Sequence, residues 1–119
     1  MQNLREKHTL YYYGERWPSV HHARMRMGCS KLNADLHYHL KVIGDPSCRC
    51  GALKETAKHY LLECPTFFHQ RNVLRHELTT LMPFTVKNVL YGNTDFDIEC
   101  NQKVFKAVHQ FIMNTKWFI

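Results

Sequence analysis

The chain has 119 residues, 45% hydrophobic and 22% charged, which is enough for one modest core and excludes collagen-like and highly charged disordered chains. Its apolar runs, such as Tyr60-Leu61-Leu62, fall far short of the roughly 20 residues that a membrane-crossing helix needs, which excludes a helical membrane protein. Sixteen Lys/Arg against ten Asp/Glu give a net charge of +6, and the whole surplus lies early: 12 against 6 in residues 1–76, then 4 against 4 in residues 77–119.

A basic first part suits a polyanion such as RNA or DNA, because each phosphate neutralised by Lys or Arg releases a condensed counterion. Charges at Arg5, Glu6 and Lys7 occupy the place of a secretory signal's apolar core, so the chain is expected to be intracellular, in nucleus or cytoplasm alike. Five cysteines in such a chain favour metal binding or free thiols over disulfides.

In chain order, Tyr11-Tyr12-Tyr13 reads as a short strand or an extended arm, and it and Trp17 are either core residues or stacking platforms for unpaired bases. The spacing predicts a helix over residues 20–27, with Val20, Ala23 and Met27 on one face and Gly28 as its stop. Ser30 is placed to cap a second helix in which Leu32, Leu36 and Leu40 recur every four residues. Gly44-Asp45-Pro46-Ser47 is a turn cluster that delivers the chain to Cys48.

A short helix is predicted over residues 55–62. Pro65 then opens a longer one carrying Phe67, Val73 or Leu74, Leu78 and Leu81, which ends by Pro83. Thr85 is placed to cap the segment closing on Gly92. The last helix carries the clearest stripe, Val104, Phe105, Val108, Phe111 and Ile112, with Asp97 or Asn101 as cap. The expected fold is mostly α, one domain over residues 1–119: a basic helical segment 20–43, a zinc knuckle 44–65 and C-terminal helices 66–119.

The knuckle rests on spacing. Cys48, Cys50, His59 and Cys64 follow one another in a short stretch, and three thiolates with one imidazole suit a closed tetrahedral Zn²⁺ site. Gly51 lets the backbone curl so that amides point back at the sulfurs, and Arg49, Lys54 and Lys58 around the cluster favour thiolate over thiol. The competing reading makes the same residues ordinary buried thiols and a core histidine.

The runs RMGCSKLNADL, DPSCRCG and KETAKHYLLECPTFFHQR together resemble the segment that follows the reverse transcriptase domain of non-LTR (LINE-type) retrotransposon polyproteins. Arg26, Gly28, Ser30, Leu32, Asn33, Cys48, Cys50, Gly51, Glu55, His59, Cys64 and Pro65 match that pattern as they stand. The match continues more loosely through Arg71, Val89-Leu90-Tyr91-Gly92 and Val108-His109-Gln110-Phe111-Ile112. The resemblance implies a zinc-binding tail that seats RNA template or target DNA for an attached polymerase. The chain departs from the family in carrying Trp117 where Arg is more usual, and in having no Tyr/Phe-x-Asp-Asp strand to hold Mg²⁺. It is therefore expected to be a non-catalytic fragment of such a polyprotein.

Arg24, Arg26, Lys31, Arg49, Lys54, Lys58 and Arg71 are the candidate nucleic-acid contacts. His21, His22, His37 and His39 are expected at the surface, Cys29 in the packing of its turn, and Cys100 as a free thiol. The alternative to nucleic-acid binding is a zinc-stapled interaction domain whose C-terminal apolar stripe docks on the reverse transcriptase portion of a parent polyprotein. An open-site zinc hydrolase is disfavoured, because a Cys₃His set leaves no position for water.

Overall fold

The structure is a computed structural model and describes residues 16–118. Tyr11 to Tyr13 lie outside the described residues. Four α-helices, α1 (Arg16–Met27), α2 (Phe68–Thr79), α3 (Val86–Tyr91) and α4 (Ile98–Thr115), combine with two π-helical turns, Asp35–His39 and His59–Glu63, and a 3₁₀ turn Pro65–Phe67. No strand occurs among the described residues, so the expected mostly α class holds.

Helix α4 is central and packs against α1, α2 and α3. Its stripe of Val104, Phe105, Val108, Phe111 and Ile112 is fully buried against partners such as Leu74, Leu78 and Val89, as period-3.6 spacing requires of a central helix. The stripe therefore faces inward, and it is no docking surface. Asp97 caps α4 by accepting the Cys100 amide at 2.7 Å. Asn101 does not cap it. Buried one turn in, it holds the preceding loop, accepting the Asn93 amide at 2.7 Å and donating to Asn93, Phe96 and Asp97 carbonyls.

Thr85 caps α3 as expected, accepting the Asn88 amide at 3.1 Å. Gly92 follows with φ +71°, where a Cβ would stand 2.3 Å from Asn101 Oδ1, so both the backbone and the buried amide demand glycine. In α2 the inward residues are Leu74 and Leu78, while Val73 is exposed, and the helix stops at Thr79, four residues before Pro83.

The first two predicted helices differ from those observed. Helix α1 already includes Arg16 to Ser19, ahead of the expected start at residue 20. It buries Pro18, Ser19, His21, His22 and Met25, while Met27 is 68% exposed. The expected Leu32/Leu36/Leu40 helix does not form. Leu32 is buried but Leu40 is exposed, and only a short helical stretch ending in the π-helical turn Asp35–His39 is present. At its start the Ser30 amide and hydroxyl both donate to Asp35 Oδ2, at 3.1 and 2.6 Å, and at its end Lys41 takes φ +56° and the Val42 amide closes on the Leu36 carbonyl at 2.9 Å, which stops the helix.

His21 and His22 are not surface residues. His22 Nε2 donates to the Val89 carbonyl at 2.8 Å, which fixes its tautomer and leaves Nδ1 to accept from His109 Nε2 at 3.0 Å. Desolvation, with Arg26 and His109 adding to it, holds His22 well below the ordinary histidine range. The group is neutral in both states above pH 7. Below its unfolded pKa of about 6.5 the unfolded chain takes up a proton that the folded chain does not, so stability falls by about 1.4 kcal/mol per pH unit from this residue alone. Urea unfolding between pH 7.5 and 5 is expected to show that slope in the parent chain and a shallower one in His22→Gln. Equal slopes in the two proteins would contradict it.

Candidate metal centre

The turn that begins at Asp45, whose Oδ1 accepts the Ser47 amide at 2.9 Å, leads into a tight loop closed by Gly51 N–H to Cys48 carbonyl and Cys48 N–H to Ala52 carbonyl, both 3.0 Å. Gly51 makes the loop possible with φ +103°. The amides that reach back to sulfur are those of Cys50, toward Cys48, and Ala52, toward Cys50. The second pair of ligands comes from a helical stretch over residues 57–63, shorter than expected, because Thr56 accepts the His59 amide at 3.0 Å and caps it while Glu55 remains outside.

This stretch ends in the π-helical turn His59–Glu63, where the Cys64 amide donates to the His59 carbonyl at 2.7 Å. In an α-helix residues five apart point about 140° away from each other. Closing the ring after five residues, with Cys64 then turning out into extended backbone, lets His59 and Cys64 face one centre. Pro65 begins the 3₁₀ turn at once and prevents the helix from running on.

The ligand atoms of Cys48, Cys50, His59 and Cys64 all lie within 4.8 Å of one another. Cys48 Sγ is 3.8 Å from Cys64 Sγ, and Cys50 Sγ is 3.3 Å from His59 Nε2. A tetrahedron with Zn–S near 2.3 Å and Zn–N near 2.0 Å would place sulfurs about 3.8 Å apart and sulfur and nitrogen about 3.5 Å apart. The set fits a small tetrahedral cation. Cys48, His59 and Cys64 are buried and Cys50 is half-buried, all five cysteines of the chain are free, and no disulfide competes for the sulfurs. His59 turns Nε2 inward, and its Nδ1 lies 3.9 Å from Glu63 Oε1, which favours the Nδ1–H tautomer that a metal ligand requires.

Burial pushes the Cys48 thiol up to about 12, while the Ala52 amide beside Cys50 holds that thiol below its ordinary range. The lowering at Cys50 comes first from the Ala52 amide, with the Cys48 and Cys64 thiols and its own amide adding to it, rather than, as the sequence suggested, from Arg49, Lys54 and Lys58. The buried Glu55 carboxylate accepts the Asn33 amide at 2.8 Å on one oxygen and stands 3.7 Å from Cys48 Sγ with the other. Glu55 also exchanges backbone bonds with Pro46 and Ala34, and the Asn33 side chain donates to the Ser47 carbonyl at 2.8 Å. The segment ending in Ser30-Leu32-Asn33 is thus latched onto the cysteine loop. Sequence spacing alone assigned Glu55 to a helix and missed this.

The seven basic candidates separate into two groups. Arg71 is buried and donates to the carbonyls of Tyr60, Leu61 and Cys64, so it clamps the turn and is withdrawn from any external ligand. Arg26 is partly engaged, donating to the Leu90 carbonyl at 3.1 Å with its guanidinium over Phe105. Lys31, Arg49, Lys54 and Lys58 are exposed and Arg24 is half-buried. Of these, Lys54 lies over Tyr38, Lys58 stands 3.9 Å from Glu63, and Arg49 lies over Trp117. Cys29 is half-buried at its turn as expected, and the Cys100 thiol faces the Leu81 carbonyl at 3.6 Å.

No family model, curated protein or solved structure matches this chain. The class that fold and site define is a helical protein with a Cys-Cys-His-Cys cluster suited to a metal ion. No helix among the described residues is long and apolar enough to cross a membrane.

Proposed function

We propose that the chain is a non-catalytic zinc-knuckle module that binds RNA or DNA, of the kind found at the C-terminus of non-LTR retrotransposon reverse transcriptases. The observation that carries the reading is the compact four-ligand cluster with Arg49 between two of its cysteines and Lys54 and Lys58 close by in the chain, all three exposed. Zinc is the favoured ion because thiolate and imidazole ligands in a tetrahedral set are its ordinary environment. Three thiolates and an imidazole fill all four positions, which supports a holding role over hydrolysis. The roles found for Asn33, Glu55, Pro65 and Arg71 give structural reasons for the sequence pattern that resembles that family.

The test is binding of the metal-loaded chain to a labelled mixed-sequence 20-nucleotide RNA and its DNA counterpart at about 50 mM salt. Micromolar or tighter binding that weakens steeply as salt rises is expected. Binding no stronger than that of a neutral domain of similar size would overturn the proposal.

A second reading, a stapled domain that docks on a polymerase partner, finds a different surface from the one expected. Leu40, Val42 and Leu53 are 45%, 66% and 85% exposed, and Lys54 reaches from beside Leu53 to the ring of Tyr38 near Leu40.

A further inference from the structure

We infer, resting on the nucleic-acid reading above, that Arg49 is the principal phosphate contact of the knuckle and that Trp117 is the positioning residue that presents it. Arg49 sits between metal ligands Cys48 and Cys50, so its backbone is fixed by the loop that Gly51 closes. Its guanidinium carbon lies 5.4 Å from the centroid of the Trp117 ring. Trp117 is itself wedged edge-on against Phe67, 5.4 Å between centroids, and Phe67 is buried against the ring of Tyr60. A chain of edge-to-face aromatic contacts thus runs from the core to an exposed cation.

A cation–π contact with the ring uses none of the guanidinium's N–H groups as hydrogen-bond donors, and the N–H fork is the part that matches the oxygens of a phosphodiester. No hydrogen bond or ion pair takes up that fork among the described residues. Five of the other six basic candidates are less ready, and the sixth, Arg24, is half-buried on α1. Arg71 spends its donors on three carbonyls, Arg26 spends one on Leu90, and Lys58 has Glu63 beside it. Lys31 and Lys54 are flexible point charges, which lose more side-chain freedom for each contact they form. A held guanidinium has less conformational freedom to lose when a phosphate arrives. Trp117 therefore serves the basic surface without a charge of its own, by orienting the arginine of the knuckle.

The experiment compares the metal-loaded parent chain with Arg49→Ala, Arg49→Lys, Trp117→Ala, Trp117→Phe and the Arg49→Ala/Trp117→Ala pair. Affinity for the 20-nucleotide RNA and DNA is read across a salt series, and metal per chain is read by native mass spectrometry. Arg49→Ala is expected to weaken binding about tenfold and to lower the salt slope by about one, since one phosphate contact is lost. Trp117→Ala is expected to weaken binding several-fold with the metal retained, Trp117→Phe to restore most of it, and the pair to be no weaker than Arg49→Ala alone. Trp117→Ala binding as the parent does, or an additive pair, would overturn the inference while leaving the nucleic-acid reading intact. If Trp117→Ala loses metal, Arg49→Lys decides: parental affinity there would equally overturn it, because a stacked planar fork would not be needed. A parent chain that fails to bind either oligonucleotide removes the nucleic-acid reading itself and this inference with it.

Discussion

Stripping the metal is expected to unfold the knuckle and most of what leans on it. One zinc ion per chain is expected by native mass spectrometry, and treatment with a strong chelator should lower the thermal midpoint by at least about 15 °C. Apparent zinc-binding free energies in small Cys/His sites, about 10–16 kcal/mol, rival the whole stability of a chain this size, about 5–15 kcal/mol. The geometry gives the loss a route. The loop over residues 45–55 has little regular secondary structure of its own, yet it holds Asn33 and Ala34 through Glu55 and Asn33 again through Ser47. His59→Ala should behave like the chelated parent, since three thiolates without the imidazole leave the set incomplete. A midpoint that moves by only a few degrees, or the absence of bound metal in the parent, would refute the assignment of the cluster.

Arg71→Ala should be nearly as damaging without removing a ligand side chain. The guanidinium satisfies the carbonyls of Tyr60, Leu61 and Cys64 and lies over the ring of Phe111, so it ties the end of the π-helical turn to α2 and α4. Removing it strands three acceptors and opens a space in a packed region, and a loss of about 3–5 kcal/mol is expected in urea unfolding. Arg71→Lys should recover only part of this, because one ammonium cannot span three carbonyls set around a plane. An Arg71→Ala protein within about 1 kcal/mol of the parent would show that water replaces the clamp. The same variant separates structure from binding, since a surface phosphate contact would cost affinity and little stability.

Much of the α-helical frame and the ligand set was legible in the residue order, and the reasons are local. Thr85 and Asp97 read correctly as caps because their side chains bond amides three residues on. The stripe of α4 read correctly because apolar spacing at 3.6 residues has one meaning in a central helix. The grouping of Cys48, Cys50, His59 and Cys64 was legible because thiols and an imidazole at short range in the chain have few other uses.

Other features depended on partners distant in sequence. His21 and His22 looked polar, yet His22 finds Val89 and His109, 67 and 87 residues on. Arg71 looked like surface charge until the turn at residues 59–64 wrapped its carbonyls around it. Leu36 and Leu40 mimicked a helix face whose continuation the left-handed turn at Lys41 prevents. Glu55 matched the pattern of the resembling family without a reason, and the latch to Asn33 supplies one.

The π-helical turn also makes the two halves of the knuckle unequal in what they tolerate. At Leu53 and Lys54, beyond the bonds that Ala52 makes to the cysteine loop, the chain is exposed, so a residue gained there lengthens a loop at little cost. Between His59 and Cys64 each residue is counted, because the π-helical ring that closes at Cys64 sets where both side chains stand, and a residue gained or lost there rebuilds the turn. Among divergent copies of such a sequence, length variation should therefore gather before the histidine, and the five-residue step after it should stay constant even where its letters change.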